Sequence, residues 1–502
     1  MSAQIAPQPA PSAHVSKFLQ KAPRLLIDGE WVEAKSGRTL PVEDPATGRQ
    51  IATIADAGEA DVDAAVRAAR NAFESGPWAD ATPGDREALL YRLATLVEQN
   101  MDELAELESL DNGKTKLMAT LVDVGGTRDY FRYMAGWATK VEGVKMDTSI
   151  RMAPGQKFHT YVAREPVGVV GQIVPWNFPL AMAAWKLGPA LATGCTVVLK
   201  PAEQTSLTAL RLGELIQEAG YPAGVVNIVT GVGEVSGAAL VAHHDVDKIA
   251  FTGSTSVGKI INKAATDTLK RVSLELGGKS PVIVLPDADL DTVVGGAAMA
   301  VFFNAGQVCT AGTRLFVHSR IFDRVVEGIS VVAKSMKLGP GLDPSTQMGP
   351  LVSKEQQDRV MGYIESGRRQ GATITAGGGA PSSPGYFVEP TVLVNVNPDM
   401  KVVREEIFGP VLVAQRFDDL NDIARQANDT PYGLGASIWS NDLSAVLRLV
   451  PKIKAGTVWV NTHSMIDPAM PFGGFKQSGF GREHGRSGIE MYTEQKSVCI
   501  AI

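Results

Sequence analysis

Val167-Gly168-Val169-Val170-Gly171-Gln172-Ile173-Val174 reads as a buried strand, and the order of the segments after it decides the fold. A helical stretch, Ala181 to Ala192, comes next, then a second apolar strand, Thr196-Val197-Val198-Leu199-Lys200. Helix Ser206 to Ala219, strand Val225 to Val229, helix Val235 to Ala242 and strand Lys248 to Thr252 continue the alternation. Short apolar strands separated by helices need crossover connections, so they imply a parallel sheet covered on both faces. Open sheets of this kind bind ligands at the carboxyl ends of their strands.

Working outward, Leu25 to Trp31 reads as a strand with a turn, followed by a polar, hairpin-like stretch to Val42. Apolar residues at three- and four-residue steps predict helices over Asp61 to Ala72, Arg86 to Glu108 and Leu117 to Ala138. Asp61 and Asp85 are the expected starting caps of the first two. A second α/β block begins near Ser280, with strand Pro281 to Leu285, helix Leu290 to Phe303, strand Thr313 to His318 and helix Phe322 to Ser335. It runs through Gly-rich turns to a last strand near Ala455 to Asn461. Thr148 to Arg164 is alternating and polar, and Glu494 to Ile502 is short and apolar.

The 502 residues, 44% hydrophobic and 20% charged, suit a globular chain with a large core and more than one domain. A net charge of −6 gives no electrostatic case for nucleic acid or an acidic membrane. Three cysteines, Cys195, Cys309 and Cys499, make no disulfide framework, and a reduced, cytoplasmic setting is expected. Met1 to Ser12 lacks the charged and apolar regions of a signal peptide, and no apolar run reaches the roughly 18 residues of a membrane span. The seven histidines suggest no metal site, because His243 and His244 are adjacent and would point apart on a helix.

Chemistry concentrates in three places. Cys309 lies in Asn304-Ala305-Gly306-Gln307-Val308-Cys309-Thr310-Ala311-Gly312, a turn between an apolar helix and a strand, where a thiol can open to a cleft. Glu275 is a lone carboxylate in the apolar, Gly-rich Leu274-Glu275-Leu276-Gly277-Gly278-Lys279, so desolvation should raise its pKa. Asn177 stands between Trp176 and Phe178. Thiol, carboxylate and amide are the groups needed for acyl chemistry through a thioester. Read on their own, Asn177 is equally a turn-former and Glu275 equally a structural carboxylate. A thiol hydrolase pairing Cys309 with His463 also stays open. Gly253 to Gly258 follows a strand and opens a helix, a geometry that aims free N–H groups at an anion.

These residues also carry a resemblance to the NAD(P)-dependent aldehyde dehydrogenases. The matching pieces are PWNFP at 175–179, KPAEQT at 200–205, FTGSTSVG at 251–258, LELGGK at 274–279, GQVCTAGTR at 306–314, EEIFGP at 405–410 and PFGGFKQSGFGRE at 471–483. The resemblance implies an α/β fold with a Rossmann-like cofactor domain (23–142 and 167–277) and a catalytic domain (278–485). It also implies an oligomerisation element (143–166 and 486–502). The start, rich in Ala, Pro and Gln over Met1 to Ser12, reads as a disordered extension, residues 1–22. Cys309 would be the nucleophile, Glu275 the general base, Asn177 an oxyanion donor, and Lys186 and Glu483 groups that organise proton movement. The cofactor would meet Ile173, Trp176, Lys200, Glu203, Gly233, Gly253, Ser254, Gly258, Glu406 and Phe408. Glu203 beside the ribose hydroxyls would favour NAD over NADP. Phe178, Trp185, Phe303, Met465, Ile466 and Phe472 suggest an apolar tunnel for an aromatic or medium-chain aldehyde. The segment Gly456 to Pro468 and the ending Glu494 to Cys499 resemble the phenylacetaldehyde-oxidising members of the family. The family also implies a homo-oligomer, a dimer or tetramer.

Overall fold

A computed structural model describes residues 5–502, which form two large sheets, a three-stranded sheet and a two-stranded one, Thr39–Asp44 with Arg49–Ala55. Five parallel strands form the centre of the first sheet, in the order Arg271–Glu275, Lys248–Thr252, Val169–Ile173, Thr196–Lys200, Val226–Ile228. Thr196–Lys200 and Lys248–Thr252 are buried at every residue, as strands covered on both faces must be. The hairpin Leu25–Ile27 and Glu30–Val32 adds antiparallel strands at one edge. Its turn, Asp28-Gly29, has φ of 53° and 76°, the double left-handed geometry of a tight hairpin.

Strand order reverses between Val169–Ile173 and Lys248–Thr252, which leaves a crevice beyond their carboxyl ends. Every strand there runs into a segment singled out above. Ile173 leads into Pro175–Pro179, Lys200 into Glu203, Thr252 into Gly253-Ser254, and Glu275 is itself the last residue of its strand.

The second sheet has the order Thr373–Ala376, Thr391–Val394, Val411–Phe417, Arg314–His318, Pro281–Val284, Gly435–Trp439, Thr457–Val460, parallel except for the first strand. Thr493–Ala501, Phe158–Pro166 and Val144–Met146 make a separate three-stranded antiparallel sheet, so the two pieces expected to form one element do meet. Among the described residues, no helix is long and apolar enough to cross a membrane.

Several expectations need correction. Residues 1–4 lie outside the described residues, but the rest of the supposed disordered extension includes a helix, Ala13–Leu19. Val15 and Phe18, three apart, bury one face of it against Leu107, Leu110 and Leu207. Asp61 and Asp85 are not the starting caps. They stand at the third helical position and accept from the backbone N–H of Gly58 and Thr82, each at 2.9 Å. The helix expected over 86–108 is two, Pro83–Gln99 and Met101–Asn112, broken where Asn100 Nδ2 donates to the Leu96 carbonyl at 2.8 Å. The helices expected over 117–138 and 235–242 contain wider π-type turns, Ala119–Val124 after the short α-turn Lys116–Met118 and Gly233–Gly237 before Ala238–Ala242.

Two boundaries also move. Gly479–Phe480, counted with the second domain, forms the outer edge strand of the first sheet beside Leu274 and Glu275. Ile489 and Tyr492, counted with the oligomerisation element, sit in the core of the first domain.

Phe18→Ala should lower the free energy of unfolding by about 3 kcal/mol, the low end for a buried aromatic. Urea denaturation followed by tryptophan fluorescence checks this; no change would mean that the amino-terminal helix contributes nothing to the fold.

Candidate functional site

Helix Leu290–Phe302 delivers the cysteine loop. It ends in a tight turn where Asn304 and Ala305 take φ of 49° and 52°, and Gly306 takes 74°. A Cβ on Gly306 would lie 2.1 Å from the Gly409 carbonyl oxygen, so glycine lets this turn press against the EEIFGP segment. Gly278 does the same on the other side: its Cβ would lie 2.4 Å from the Cys309 carbonyl oxygen. The cysteine is thus clasped between the segment after Glu275 and the segment after Glu406.

Asn177, Glu275 and Cys309 all line one cavity of about 1120 Å³, together with Trp176, Gly253, Ser254, Glu406, Phe408 and Glu483. Ile173, Lys200, Glu203, Gly233 and Gly258 are not in its wall. They follow the strand ends. Lys200 Nζ reaches Glu203 at 2.9 Å, and a Cβ on Gly233 would stand 3.9 Å from that same nitrogen. Ser254 caps helix Thr255–Ala265, its Oγ accepting from Val257 N–H at 3.3 Å. Gly258 lets that helix approach Leu276, since a Cβ there would be 2.5 Å from Leu276 Cδ2.

Cys309 is half-buried, and burial, with the nearby Glu406 and Glu275 carboxylates, pushes its thiol up to about 12. The N–H groups of Thr310 and Cys309 act in the opposite direction. Glu275 is 4% exposed, and neither of its oxygens has a hydrogen-bond partner. Burial first, then Glu483, holds its pKa well above the usual carboxylate range; Lys186 and Arg482 oppose them. Lys186 and Glu483 are joined in a buried ion pair. Burial raises Glu406 to about 7, although it accepts from Gly278 N–H at 2.9 Å. An unpartnered buried carboxylate beside a half-buried thiol is an arrangement suited to proton transfer, and costly to retain for stability alone.

Asn177 Nδ2 donates to the Gln307 carbonyl at 2.9 Å. An amide nitrogen has two hydrogens, so one remains for a ligand in the cavity.

His463 is no partner for the thiol. Its Nε2 lies 2.8 Å from the Thr310 carbonyl and its Nδ1 3.0 Å from Ser437 Oγ, and burial lowers its pKa to about 4. Both ring nitrogens are occupied in holding the loop. His243 and His244 differ from expectation too. They follow the end of a helix and stack in parallel, centroids 4.9 Å apart, instead of pointing apart. Their nitrogens and the Asp245 carboxylate lie within 4.8 Å of one another on the protein surface.

All six residues expected in the tunnel line the cavity: Phe178, Trp185, Phe303, Met465, Ile466 and Phe472. Phe178 faces Phe303 at 6.0 Å between centroids, and Trp185 meets Phe472 edge-on at 5.3 Å. The sequence reading missed Met118, Leu121, Val122, Met299 and His484, which also line it. Leu121 is 62% exposed beside the exposed Leu117 and Val122. The signal was an apolar stripe too wide for one buried helix face.

A model of the aldehyde dehydrogenase family matches residues 31–498. Phenylacetaldehyde dehydrogenase of Pseudomonas fluorescens is 52% identical over 480 residues, 95% of this chain and 96% of that one. A mitochondrial aldehyde dehydrogenase of Leishmania tarentolae is 51% identical over 479 residues, 95% of each. Among solved structures, the NAD+ complex of aldehyde dehydrogenase from Bacillus cereus superposes with a TM-score of 0.96 at 49% identity, covering all of both chains. The chain belongs to the aldehyde dehydrogenase family and is an NAD(P)-dependent oxidoreductase acting on aldehydes.

Proposed function

We propose that the chain oxidises an aromatic or other apolar aldehyde, phenylacetaldehyde first among them, to the carboxylic acid, with NAD as acceptor. One observation carries this reading: the Cys309 thiol, the Asn177 amide and the unpartnered Glu275 carboxylate line one cavity whose remaining wall is largely aromatic and apolar. The Cys309 sulfur, once deprotonated, bonds to the aldehyde carbon and leaves an oxyanion. Asn177 Nδ2 and the Cys309 N–H hold that oxygen, and losing one such donor typically costs roughly 100–1,000-fold in rate. Bound NAD would supply the acceptor for the hydride, and loss of that hydride from the former aldehyde carbon would leave the substrate as a thioester on Cys309. Glu275 then takes a proton from water as the water attacks the thioester, and the acid is released. Desolvation raises the Glu275 carboxyl and so makes its carboxylate a stronger base for that step. Glu483 and Lys186, paired next to Glu275, bear on its charge from opposite sides.

The residues at the strand ends fit a dinucleotide. The capped, 11-residue helix Thr255–Ala265 opens onto the crevice with its N-terminus, a place for phosphate oxygens. Glu203, three residues past the end of Thr196–Lys200 and paired with Lys200, would accept from ribose hydroxyls and repel a 2′-phosphate, which supports NAD over NADP in this reading. The Phe178, Phe303, Trp185 and Phe472 rings give an aromatic substrate stacking partners, and apolar burial supplies roughly 25 cal/mol per Å². The name of the Pseudomonas relative supports phenylacetaldehyde within that class. Exposed apolar residues on the small sheet and its connections, among them Val144, Met152 and Ile502, support a dimer or tetramer built through it.

NADH absorbance with phenylacetaldehyde, benzaldehyde and hexanal, each with NAD or NADP and with or without CoA, tests the assignment. Phenylacetaldehyde with NAD should give the highest kcat/KM, with no need for CoA. A rise only with CoA, or none with any aldehyde, would overturn the reaction, whereas preference for hexanal would overturn only the substrate class.

The free enzyme's thiol should be protonated at neutral pH. Alkylation of Cys309 by iodoacetamide without cofactor should therefore speed up about tenfold per pH unit from 7 to 9, the thiolate fraction growing in that proportion below the pKa. A rate that levels off below pH 8 would contradict the burial argument.

A further inference from the structure

Asn177 is useful as an oxyanion donor only if it is held still, and the residues that hold it come from both domains. Asn112, the last residue of helix Met101–Asn112, is fully buried. Its Nδ2 donates to the Trp176 carbonyl at 2.7 Å and leans on the Asn177 carbonyl at 3.4 Å. Asn304, in the loop that carries Cys309, donates from Nδ2 to the same Asn177 carbonyl at 2.9 Å. Asn304 takes φ of 49°, a left-handed conformation that asparagine tolerates better than most residues. The Asn177 side chain is meanwhile turned by the Gln307 carbonyl, two residues before the thiol.

Two more contacts fix the segment downstream. Glu108, one turn before Asn112, accepts from Leu180 N–H at 3.3 Å. Lys114 Nζ sits 4.3 Å from the centre of the Phe178 ring, balanced by Asp123 at 2.7 Å and Glu108 at 3.6 Å. The segment from Trp176 to Leu180 is thus tied to one helix end through the backbone of Trp176, Asn177 and Leu180 and the ring of Phe178.

From this we infer that Asn112 and Asn304 are positioning residues for the oxyanion donor, one reaching it from each domain, and that together they set where Asn177 Nδ2 points relative to Cys309. The inference rests on Asn177 acting as that donor in the reaction proposed above. Neither asparagine touches the reacting atoms. Each acts through the Asn177 backbone, and neither contact requires bound cofactor.

Two variants test it. Asn112→Leu keeps roughly the volume and removes the donor; Asn304→Gly keeps the left-handed backbone and removes the donor. For each, single-turnover NADH formation, NAD affinity by fluorescence titration and the iodoacetamide rate at Cys309 are compared with the parent chain. Alkylation develops no oxyanion on a carbonyl, so it reports the thiol without the donor. The expected result is a fall of about 10–100-fold in NADH formation, less than full loss of a donor gives, with NAD affinity and alkylation within twofold. NADH formation within twofold in either folded variant would overturn the inference. So would a parallel fall of all three quantities, which marks general disruption. Should Asn112→Leu fail to fold, Asn304→Gly decides by itself. If the parent chain alkylates at Cys309 but forms no NADH with any aldehyde, the proposed reaction fails and not the positioning alone.

Discussion

The chain passes from the first sheet to the second through Leu276–Ser280, and the site depends on how closely that link approaches the cysteine loop. Gly277 and Gly278 make the approach. A Cβ on Gly277 would stand 2.2 Å from Glu406 Oε2, and one on Gly278 2.4 Å from the Cys309 carbonyl. A side chain at Gly278 would push the Cys309 loop away from this link, and one at Gly277 would displace the Glu406 carboxylate. Glu275 ends a strand of one domain, Cys309 follows a helix of the other, and this side-chain-free link brings the two to one cavity.

Burial then sets the chemistry. Glu275 and Glu406 are both held above the usual carboxylate range by desolvation, and the thiol is raised by the same cause. Burial thus disfavours the charged form of all three groups, as it must where no full partner is at hand. Two buried ion pairs stand behind the cavity: Lys186 with Glu483 near Glu275, and Lys114 with Asp123 near Phe178. Each pair lies behind a residue to which the proposed reaction assigns a role.

Much of the framework was readable because strands covered on both faces leave an uninterrupted apolar signal, as in Val169–Ile173 and Thr196–Lys200. The thiol, the amide and the acid stood out because polar groups in apolar or Gly-rich surroundings need a reason. Other features gave weaker signals. Phe18 is one aromatic in a polar stretch, and its burial depends on Leu107 and Leu207, far away in sequence. Gly479–Phe480 is too short to show strand periodicity. Asn112 before Gly113 reads as an ordinary helix end, and only the fold brings its amide under Trp176. His463 could not be separated from a catalytic histidine until both of its nitrogens were seen to be engaged.

The most direct test of the account is whether substrate carbon becomes bonded to Cys309. Glu275→Gln removes the proposed water-activating base, so mixing that variant with phenylacetaldehyde and NAD should produce about one NADH per active site and then nearly stop. Intact-protein mass spectrometry should show an added phenylacetyl group, and digestion should locate it on the peptide containing Cys309. Steady turnover in that variant with no added mass, or the acyl group on a different residue, would contradict the account.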